Sequence, residues 1–347
     1  MIRRICLKQC TIDHDLPIVS YFYYFNKYPA VFSASSIHQN CLRRLLSSKM
    51  IGRSIFSLVK GRGISSAASP RPAAAIVGGT KGIGLALGRE WLNKYREHNP
   101  KLFLLGRTIE NNSEIDQLMS EFDGGAGDTV TPVHVDLTSS ESIGHAVKKI
   151  ATETPHIDFL FHTAGHLHNI DPETGKQIDS MPVLPERSMR ALEMEGMIQA
   201  FTLNTFAPAL VIKHFAPLLK RGSRKGYRIT EEQGPPVVAA LSARVGSLRD
   251  NRKGGWTSYR ASKAALNMVL LNAHHEFGMG KQKIIVLSIH PGTVDTNLSK
   301  PFQAIAEKQY TIFSPEYSAK KVLNVSLKST IEDSGNFFAW DGEKIPW

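Results

Sequence analysis

The chain has 347 residues, of which 42% are hydrophobic and 21% charged, so it can bury a substantial core in one or two domains. Its formal net charge of +11 is concentrated in residues 1–72, which hold eleven basic and two acidic residues. The rest of the chain carries 31 basic and 29 acidic residues. That balance leaves no broad excess of cations for a phosphate backbone, so we expect no nucleic-acid partner. All three cysteines also lie in residues 1–72, which excludes disulfides, a cysteine nucleophile and a thiolate metal site from the remainder.

Residues 1–72 form an N-terminal extension to a predicted domain at 73–347. The extension is rich in arginine, serine and apolar residues and poor in acids, as transit peptides are, and residues 50–62 are basic and amphipathic. We predict a mitochondrial or plastid address. The alternatives are a disordered tail or an upstream extension with Met50 as the true start, and without a targeting signal the protein would be cytoplasmic. No run approaches the roughly 18 apolar residues that span a bilayer, so no membrane span is expected.

The predicted domain opens with a pattern for binding a dinucleotide. An apolar run from Ala73 indicates a buried parallel strand, which enters a glycine-rich turn and is followed by a helix with apolar periodicity. Glycine allows a tight turn and a close approach of the backbone to a ligand, and the helix N-terminus offers unpaired N–H groups to a pyrophosphate. The residues predicted to bind the cofactor here are Gly78, Lys81, Gly82, Ile83 and Gly84.

The second predicted strand, residues 101–106, ends just before Arg107. In doubly wound folds an acidic residue at this place binds the ribose 2′-hydroxyl of NAD, whereas an arginine accommodates the 2′-phosphate of NADP. Lys81 in the glycine turn adds a second cation near the same pocket. The two cations favour NADP(H), and the alternative for either is a solvated surface charge.

Tyr259 and Lys263 stand four residues apart in a stretch without proline that is rich in helix formers, so they share one helix face. A positive charge beside a phenol favours the phenolate and lowers the pKa of the tyrosine. A tyrosine tuned in this way exchanges a proton with a carbonyl or alcohol oxygen. The spacing alone also fits a surface tyrosine beside a solvated lysine, but the glycine turn upstream favours catalysis.

Predicted strands and helices alternate along the domain. Further strands are expected at 130–135, 157–161, 236–241 and 283–289, with helices between them at 111–123, 189–219 and 261–277. We expect the 189–219 helix to be broken near Pro208. The alternation predicts an α/β protein with a single doubly wound, parallel-sheet Rossmann domain behind the disordered or targeting extension.

These motifs, in this order, resemble the short-chain dehydrogenase/reductase family. Residues 241–247, 254–256, 259–263 and 290–296 further resemble its C-factor-like and sniffer-like carbonyl reductase branch. The resemblance implies an oxidoreductase that transfers a hydride between NADP(H) and a small carbonyl or alcohol substrate. Tyr259 would be the general acid/base, and Lys263 would lower its pKa and bind the nicotinamide ribose. The family also packs the helices that carry Asn204 and Tyr259 into homodimers or homotetramers.

The resemblance implies roles for other residues. Asp136, after the third strand, would contact the adenine ring, with a helix N-cap as the alternative. Ala164 and Gly165 would let the cofactor lie against the backbone, whereas His162 departs from the family's asparagine and is interpreted as structural. Asn204 would support a water in a proton relay, unless it is a polar residue of a helix face without a function. The remaining implied cofactor contacts follow the last of these strands: Pro291, Gly292, Val294 and Thr296.

The catalytic serine of the family is out of register here. The family pattern is Ser-Ser-x-x-Gly, and its second serine, the donor to the substrate oxygen, is replaced by Ala243. Neighbouring side chains of a strand face opposite sides, so a bulge re-aims Ser242, or Ser247 substitutes, or the contact is weak or absent. We predict that Ser242 is the donor. The departure motivates an alternative function, a catalytically weak NADP(H)-binding sensor or signalling protein.

Two segments near the C-terminus bear on the substrate pocket. By the resemblance, residues 297–315 would cover the substrate. The unusually aromatic tail, residues 337–347, walls the pocket or packs at an edge or a subunit interface. The substrate itself depends on loop shapes that one sequence does not fix.

Overall fold

The structure is a computed structural model, which describes residues 71–122, 128–168, 185–223, 234–306 and 311–347. Apart from its last two residues, the predicted extension lies outside these ranges, and so does any targeting signal in it. Within these ranges, none of the helices is both long and apolar enough to cross a bilayer.

A sheet of seven parallel strands forms the centre of the described domain. The strand order is β3-β2-β1-β4-β5-β6-β9, which confirms the doubly wound prediction. The strands are β1 Ala73–Val77, β2 Lys101–Gly106, β3 Val130–His134, β4 Phe159–His162, β5 Val237–Leu241, β6 Ile285–His290 and β9 Phe337–Ala339. The short strands β7 (Thr293–Val294) and β8 (Ile312–Phe313) pair with each other. Because β9 is the outermost strand, this part of the aromatic tail packs at the edge of the sheet.

Helices cover both faces of the sheet. The helices of the described residues are α1 Gly82–Tyr95, α2 Ser113–Phe122, α3 Ser140–Glu153, α4 Met194–Phe201, α5 Ala207–Gly222, α6 Thr257–Gly278, α7 Gln303–Ala306 and α8 Pro315–Lys328, and six of them pack on the sheet. The core on one face is formed with α1, α2 and α8, and the core on the other with α3, α5 and α6. Every residue of β1 is fully buried because helices lie on both sides of it, which explains why its sequence is a continuous apolar run.

The apolar stripes of two helices anchor the sheet and position the site. Helix α1 buries Leu87 and Trp91 in one core, and α6 buries Leu266 and Leu270 in the other. Burying a large apolar side chain contributes about 1.5–3 kcal/mol. Since α6 begins at Thr257, earlier than the predicted position 261, Tyr259 lies in its first turn.

The helix predicted at 189–219 is divided where Asn204 lies. Helix α4 ends at Phe201, a π-helical turn spans Thr202–Phe206, and α5 follows directly. The break therefore falls upstream of Pro208, and proline explains it, because Pro208 has no N–H for the carbonyl of residue 204. Such π-turns are frequent at functional sites.

The strand order creates a crevice at the carboxyl end of the sheet. The chain runs from β1 outward to β3 and returns to β4 on the other side of β1. Ligands of open α/β sheets bind at such a reversal. Gly78 follows β1 there, and the segment 163–165 follows β4.

Candidate active site

The glycine turn after β1 is pressed onto the segment after β4. Gly78 has a φ of +81°, and a Cβ on it would lie 2.6 Å from the backbone nitrogen of Ala164. The Thr163 hydroxyl donates to the carbonyls of Val77 and Gly78 at 3.0 and 3.1 Å. A Cβ on Gly84 would collide with the Gly78 carbonyl. Both glycines are therefore required by close packing of the two loops.

The outer side of the turn is open toward the crevice. Lys81 is the N-cap residue of α1 and is exposed. Its side chain makes no capping hydrogen bond, so it leaves the first N–H groups of the helix available to a ligand. A Cβ on Gly82 would meet Thr296 at an ordinary 3.6 Å, while Ile83 packs against the core. This cradle fits the pyrophosphate of a dinucleotide.

Asn112 fixes the loop that carries Arg107 and was missed by the sequence analysis. Its amide donates to the carbonyls of Thr80 and Thr108 at 3.1 and 3.2 Å, and its oxygen accepts from the N–H of Ile115 at 3.3 Å. The available signal was an asparagine in the first turn of the helix predicted at 111–123, where asparagine is typical of a helix start. It joins the Arg107 loop to the glycine turn.

Arg107 and Asp136 lie near each other at the ends of β2 and β3. Arg107 is exposed. The pKa of Asp136 is lowered by hydrogen bonds from the Thr138 N–H (2.9 Å) and hydroxyl (2.8 Å), and then by the charge of Arg107. The N-cap of α3 is Ser139, which accepts from the Ser142 N–H, so the N-cap alternative for Asp136 is wrong. Its adenine contact stays a prediction.

Tyr259 and Lys263 share one face of α6 and are both buried. The Lys263 ammonium donates to the carbonyl of Leu241, at the end of β5, at 2.9 Å. It lies 5.8 Å from the centroid of the Tyr259 ring. The pair therefore faces the carboxyl end of the sheet and not bulk water.

Burial sets the protonation of both groups. It raises the pKa of Tyr259 above its ordinary value and lowers the pKa of Lys263 to about 8. We predicted that the lysine would lower the pKa of the tyrosine. With the chain's own residues alone the pKa is raised instead, because desolvation of the phenolate outweighs the attraction to the ammonium. At neutral pH, Tyr259 is a neutral phenol, the form that donates a proton.

Asn204 is a buried hydrogen-bonding centre. Its amide donates to the His166 carbonyl at 2.8 Å and to the Ser262 hydroxyl at 3.0 Å, and its oxygen accepts from the His166 N–H at 2.8 Å. Ser262 in turn donates to the Tyr259 carbonyl at 2.9 Å. Asn204 therefore connects α6 to the loop after β4. Ser262 was missed, although it immediately precedes Lys263.

Gly165 lies where these groups meet. A Cβ on it would stand 3.6 Å from both the Asn204 side-chain oxygen and the Lys263 nitrogen. Gly165 is itself exposed, and it follows Ala164, which packs on Gly78. Two consecutive residues thus join the glycine cradle to the Tyr259–Lys263 pair.

The hydroxyls of Ser242 and Ser247 both make hydrogen bonds within the protein. The Ser242 hydroxyl is buried and donates to the side-chain oxygen of Asn267 at 2.7 Å, and Asn267 lies two turns beyond Tyr259 on α6. The Ser247 hydroxyl donates to the Pro346 carbonyl and accepts from the Asp250 N–H. Strand alternation carries Ser242 toward α6, where its hydroxyl is engaged with Asn267, so its donor role stays a prediction, while the hydrogen bonds of Ser247 give that residue a structural role.

The loop after β6 faces the glycine turn. The Pro291 carbonyl accepts from Ser318 at 2.8 Å, and Gly292 is packed under the Phe313 ring. Ser299 holds the next turn, since its hydroxyl donates to the Val294 carbonyl at 2.6 Å and accepts from the Thr296 N–H at 3.2 Å. The closeness of Thr296 to Gly82 brings the two predicted halves of the cofactor site together.

Aromatic and imidazole rings line the approach to Tyr259. The Trp256 ring lies 6.3 Å from the Tyr259 ring and 4.9 Å from that of Phe302. The His168 ring contacts the carbonyls of Asn297 and Leu298 at 3.2 Å each. No role was predicted for His168, which connects the loop after β4 to the predicted covering segment.

A buried carboxylate stands at the start of α6. Glu186 accepts hydrogen bonds from the hydroxyl and, at 3.3 Å, the N–H of Ser258, a favourable place for a negative charge. Together with His166 and Gln199 these two residues line a cavity of about 30 Å³ that reaches Tyr259. No motif drew attention to Glu186.

A doubly wound sheet with a glycine cradle at its switch point and a buried Tyr–Lys pair beside it defines a dinucleotide-dependent oxidoreductase. A family profile described as short chain dehydrogenase matches residues 72–307. The chain belongs to this family, as its motifs predicted.

Similar proteins agree with that assignment. A 1-hydroxy-2-glutathionyl-2-methyl-3-butene dehydrogenase of Rhodococcus sp. (strain AD45) is 33% identical over 230 residues, which are 65% of this chain and 85% of the relative. The C-signal protein of Myxococcus xanthus is 30% identical over 156 residues, 45% of this chain and 81% of the relative.

Solved structures share the fold. Carbonyl reductase Sniffer of D. melanogaster matches with a TM-score of 0.65 at 22% identity, covering 80% of this chain and 100% of its own. An NADPH-bound carbonyl reductase from chicken fatty liver matches with a TM-score of 0.63 at the same identity and coverage. The predicted likeness to C-factor-like and sniffer-like proteins is confirmed.

Proposed function

We propose that the protein is an NADP(H)-dependent carbonyl reductase, which interconverts a small carbonyl compound and its alcohol. One observation supports this most strongly: a buried, neutral Tyr259 is joined through Lys263 and Gly165 to a cradle shaped for a dinucleotide. A neutral phenol is the proton donor that carbonyl reduction needs. In the reverse reaction the same group, after losing its proton, accepts one from the alcohol.

The described residues fit the cofactor. The Gly78–Ala164 contact and the uncapped N-terminus of α1 suit a pyrophosphate, and Arg107 with Lys81 suits a 2′-phosphate. When bound, NADPH supplies the hydride that reduces the carbonyl carbon. The other residues that would hold it are Gly82, Ile83, Gly84, Asp136, Pro291, Gly292, Val294 and Thr296.

The chain's own residues supply the proton and the geometry. Tyr259 gives its proton to the carbonyl oxygen as negative charge develops there. Lys263, fixed by the Leu241 carbonyl, holds a positive charge near the tyrosine and would bind the nicotinamide ribose. Asn204 and Lys263 converge on Gly165, which suits a water-mediated route for reprotonation.

A second candidate function is a weakly catalytic NADP(H)-binding sensor or signalling protein. It is favoured by Ala243 at the family's serine position and by the bonding of Ser242 to Asn267. Loss of one oxyanion donor typically lowers the rate about 100- to 1,000-fold without abolishing chemistry. NADPH binding without turnover of any carbonyl in a broad panel would favour this function over the first.

The test is Tyr259→Phe. Removing a general acid should lower kcat/KM for NADPH-dependent carbonyl reduction by about 100- to 10,000-fold and leave NADPH affinity, measured by fluorescence titration, within about two-fold. Tyr95→Phe is the matched control, because Tyr95 is another largely buried tyrosine, packed against Trp91 on the opposite face of the sheet. Turnover that survives in the Tyr259 variant would rule out the mechanism.

A further inference from the structure

We propose that His162 is a positioning residue for Lys263. Through one buried water, its Nε2 atom accepts a hydrogen bond from the Lys263 ammonium and so fixes that group between the Leu241 carbonyl and the cleft. The inference rests on the proposed function for the role given to Lys263 and for the NADPH that the test uses.

The place of His162 in the sheet directs its ring toward α6. It is the last residue of β4 and pairs in register with Val77 of β1 and Ala240 of β5. Side chains alternate along a strand, so His162 shares a face with Leu160, which belongs to the core formed with α3, α5 and α6. Lys263 reaches the same end of the sheet from α6, at the Leu241 carbonyl.

The two ring nitrogens of His162 are not equivalent. The ring hydrogen-bonds to the backbone of its own residue, whereas Nε2 is buried and has no hydrogen-bond partner among the described residues. The bond to the backbone therefore belongs to Nδ1, and in a neutral ring that leaves the lone pair on Nε2. A buried acceptor is rarely left unpaired.

Lys263 is the group that can satisfy this acceptor. Burial and then the Lys263 charge lower the pKa of His162 to about 3, so the ring stays neutral. The strands beside it contribute the apolar Val77 and Ala240, and α6 contributes Tyr259, a neutral phenol. The amide hydrogens of Asn204 are donated to His166 and Ser262. The nearby Ser242 and Ser288 hydroxyls both donate to Asn267.

A water explains how the two groups interact. No direct hydrogen bond joins them, since Nε2 has no partner among the described residues, although both groups lie at the carboxyl end of the sheet on the α6 side. An ammonium has three N–H donors, and the Leu241 carbonyl takes one. A buried water needs two or more polar partners, and the ammonium and Nε2 provide two.

A space-filling role predicts a different outcome from a hydrogen-bonding one. Leucine in place of His162 fills much of the volume and removes the acceptor, whereas glutamine keeps an acceptor. Loss of the acceptor destabilises the charged ammonium, so the pKa of Lys263 falls further. A packing defect alone would lower NADPH affinity by the same factor at every pH.

The experiment measures NADPH affinity by fluorescence titration from pH 6 to 9 in the wild type, His162→Leu and His162→Gln. We expect wild-type affinity to fall with a midpoint near the Lys263 pKa of about 8. In His162→Leu the midpoint should move down by about one pH unit, a loss of about five-fold at pH 8 and almost none at pH 6. His162→Gln should restore the wild-type midpoint. An unchanged midpoint in His162→Leu, or equal shifts in both variants, would overturn the proposal.

The control is His156→Gln. His156 is an equally buried histidine before the opposite end of β4, 3.2 Å from Asp158, so its loss should lower stability without moving the midpoint. If His162→Leu does not fold, ¹⁵N NMR of the wild-type ring decides. A neutral ring with its proton on Nδ1 from pH 5 to 9 supports the proposal, and protonation in that range refutes it. Since neither readout requires turnover, failure of the reductase proposal would be seen separately, in the carbonyl assay.

Discussion

Replacing Asn204 by alanine should damage both stability and catalysis. The side chain is fully buried and makes three hydrogen bonds, of 2.8, 2.8 and 3.0 Å, to His166 and Ser262. At roughly 1 kcal/mol each, their loss should lower the free energy of unfolding by about 3 kcal/mol. For a domain of this size that corresponds to a fall in Tm on the order of 10 °C.

Thermal unfolding and carbonyl reduction, measured on the same samples, separate the two effects. Asn267→Ala is the matched control, because Asn267, on α6, is likewise a buried asparagine and accepts hydrogen bonds from Ser242 and Ser288 at 2.7 and 2.6 Å. It should lose stability by about 2 kcal/mol and keep turnover within a few-fold. Asn204→Ala should lose turnover as well, because the Asn204 side chain holds His166, next to Gly165, and Ser262, next to Lys263.

A double-mutant cycle with Ser262→Ala tests the reasoning directly. The coupling between Asn204 and Ser262 should be about 1 kcal/mol, since one hydrogen bond joins them. If Asn204→Ala has the same Tm as the wild type, or shows no coupling with Ser262→Ala, the hydrogen-bond network around Asn204 is refuted. Equal turnover in the Asn204 and Asn267 variants would refute its catalytic part.

Other perturbations address the cofactor and the pH dependence. Gly78→Ala should weaken NADPH binding by at least ten-fold in a fluorescence titration, because its Cβ would lie 2.6 Å from a backbone nitrogen, whereas Gly234→Ala, with open space around it, should not. Arg107→Ala should weaken NADPH but not NADH binding by about 10- to 100-fold, as expected for one charge-assisted phosphate contact, and equal effects on both cofactors would contradict the NADP preference. Carbonyl reduction should be flat from pH 6 to 7 and decline above about pH 8, because Lys263 loses its charge there while Tyr259 keeps its proton; a rate that rises through this range would contradict the assignment.

Much of the fold could be predicted because its signals are local. The apolar runs of β1 and β2 and the glycine turn after Val77 encode a buried parallel strand and a tight loop. The break at Asn204 was displaced from its predicted place because proline affects the carbonyl four residues before it. Strand β9 was not recognised, since three residues of an aromatic tail carry no periodicity that distinguishes a strand.

Site residues that belong to short motifs could be predicted, whereas those that meet partners distant in the sequence could not. Tyr259, Lys263 and the glycines belong to short motifs, so their spacing is visible in the sequence. Glu186 contacts Ser258 across 72 residues. Such partners are fixed by tertiary packing, and one sequence has no pattern that pairs them.

Protonation was the least predictable property of the site. Spacing places the lysine one turn from the tyrosine, which by itself favours the phenolate. Burial acts in the opposite direction on both groups and is stronger here, because helix α6 lies against the sheet and the ammonium is held by a β5 carbonyl. A sequence gives the sign of the charge interaction, but only the fold gives the desolvation that competes with it.

The displaced serine has a consequence for how the substrate oxygen is held. With Ser242 bonded to Asn267 and Ala243 lacking a hydroxyl, the described residues at the end of β5 provide no side-chain hydroxyl donor in the family position. Tyr259 then carries a larger share of the stabilisation of that oxygen. Such a site is more sensitive to loss of the Tyr259 hydroxyl than one with two donors, because no second hydrogen bond compensates. Ala243→Ser should therefore raise kcat and reduce the penalty of Tyr259→Phe, whereas no change in either would show that the oxygen does not approach residue 243.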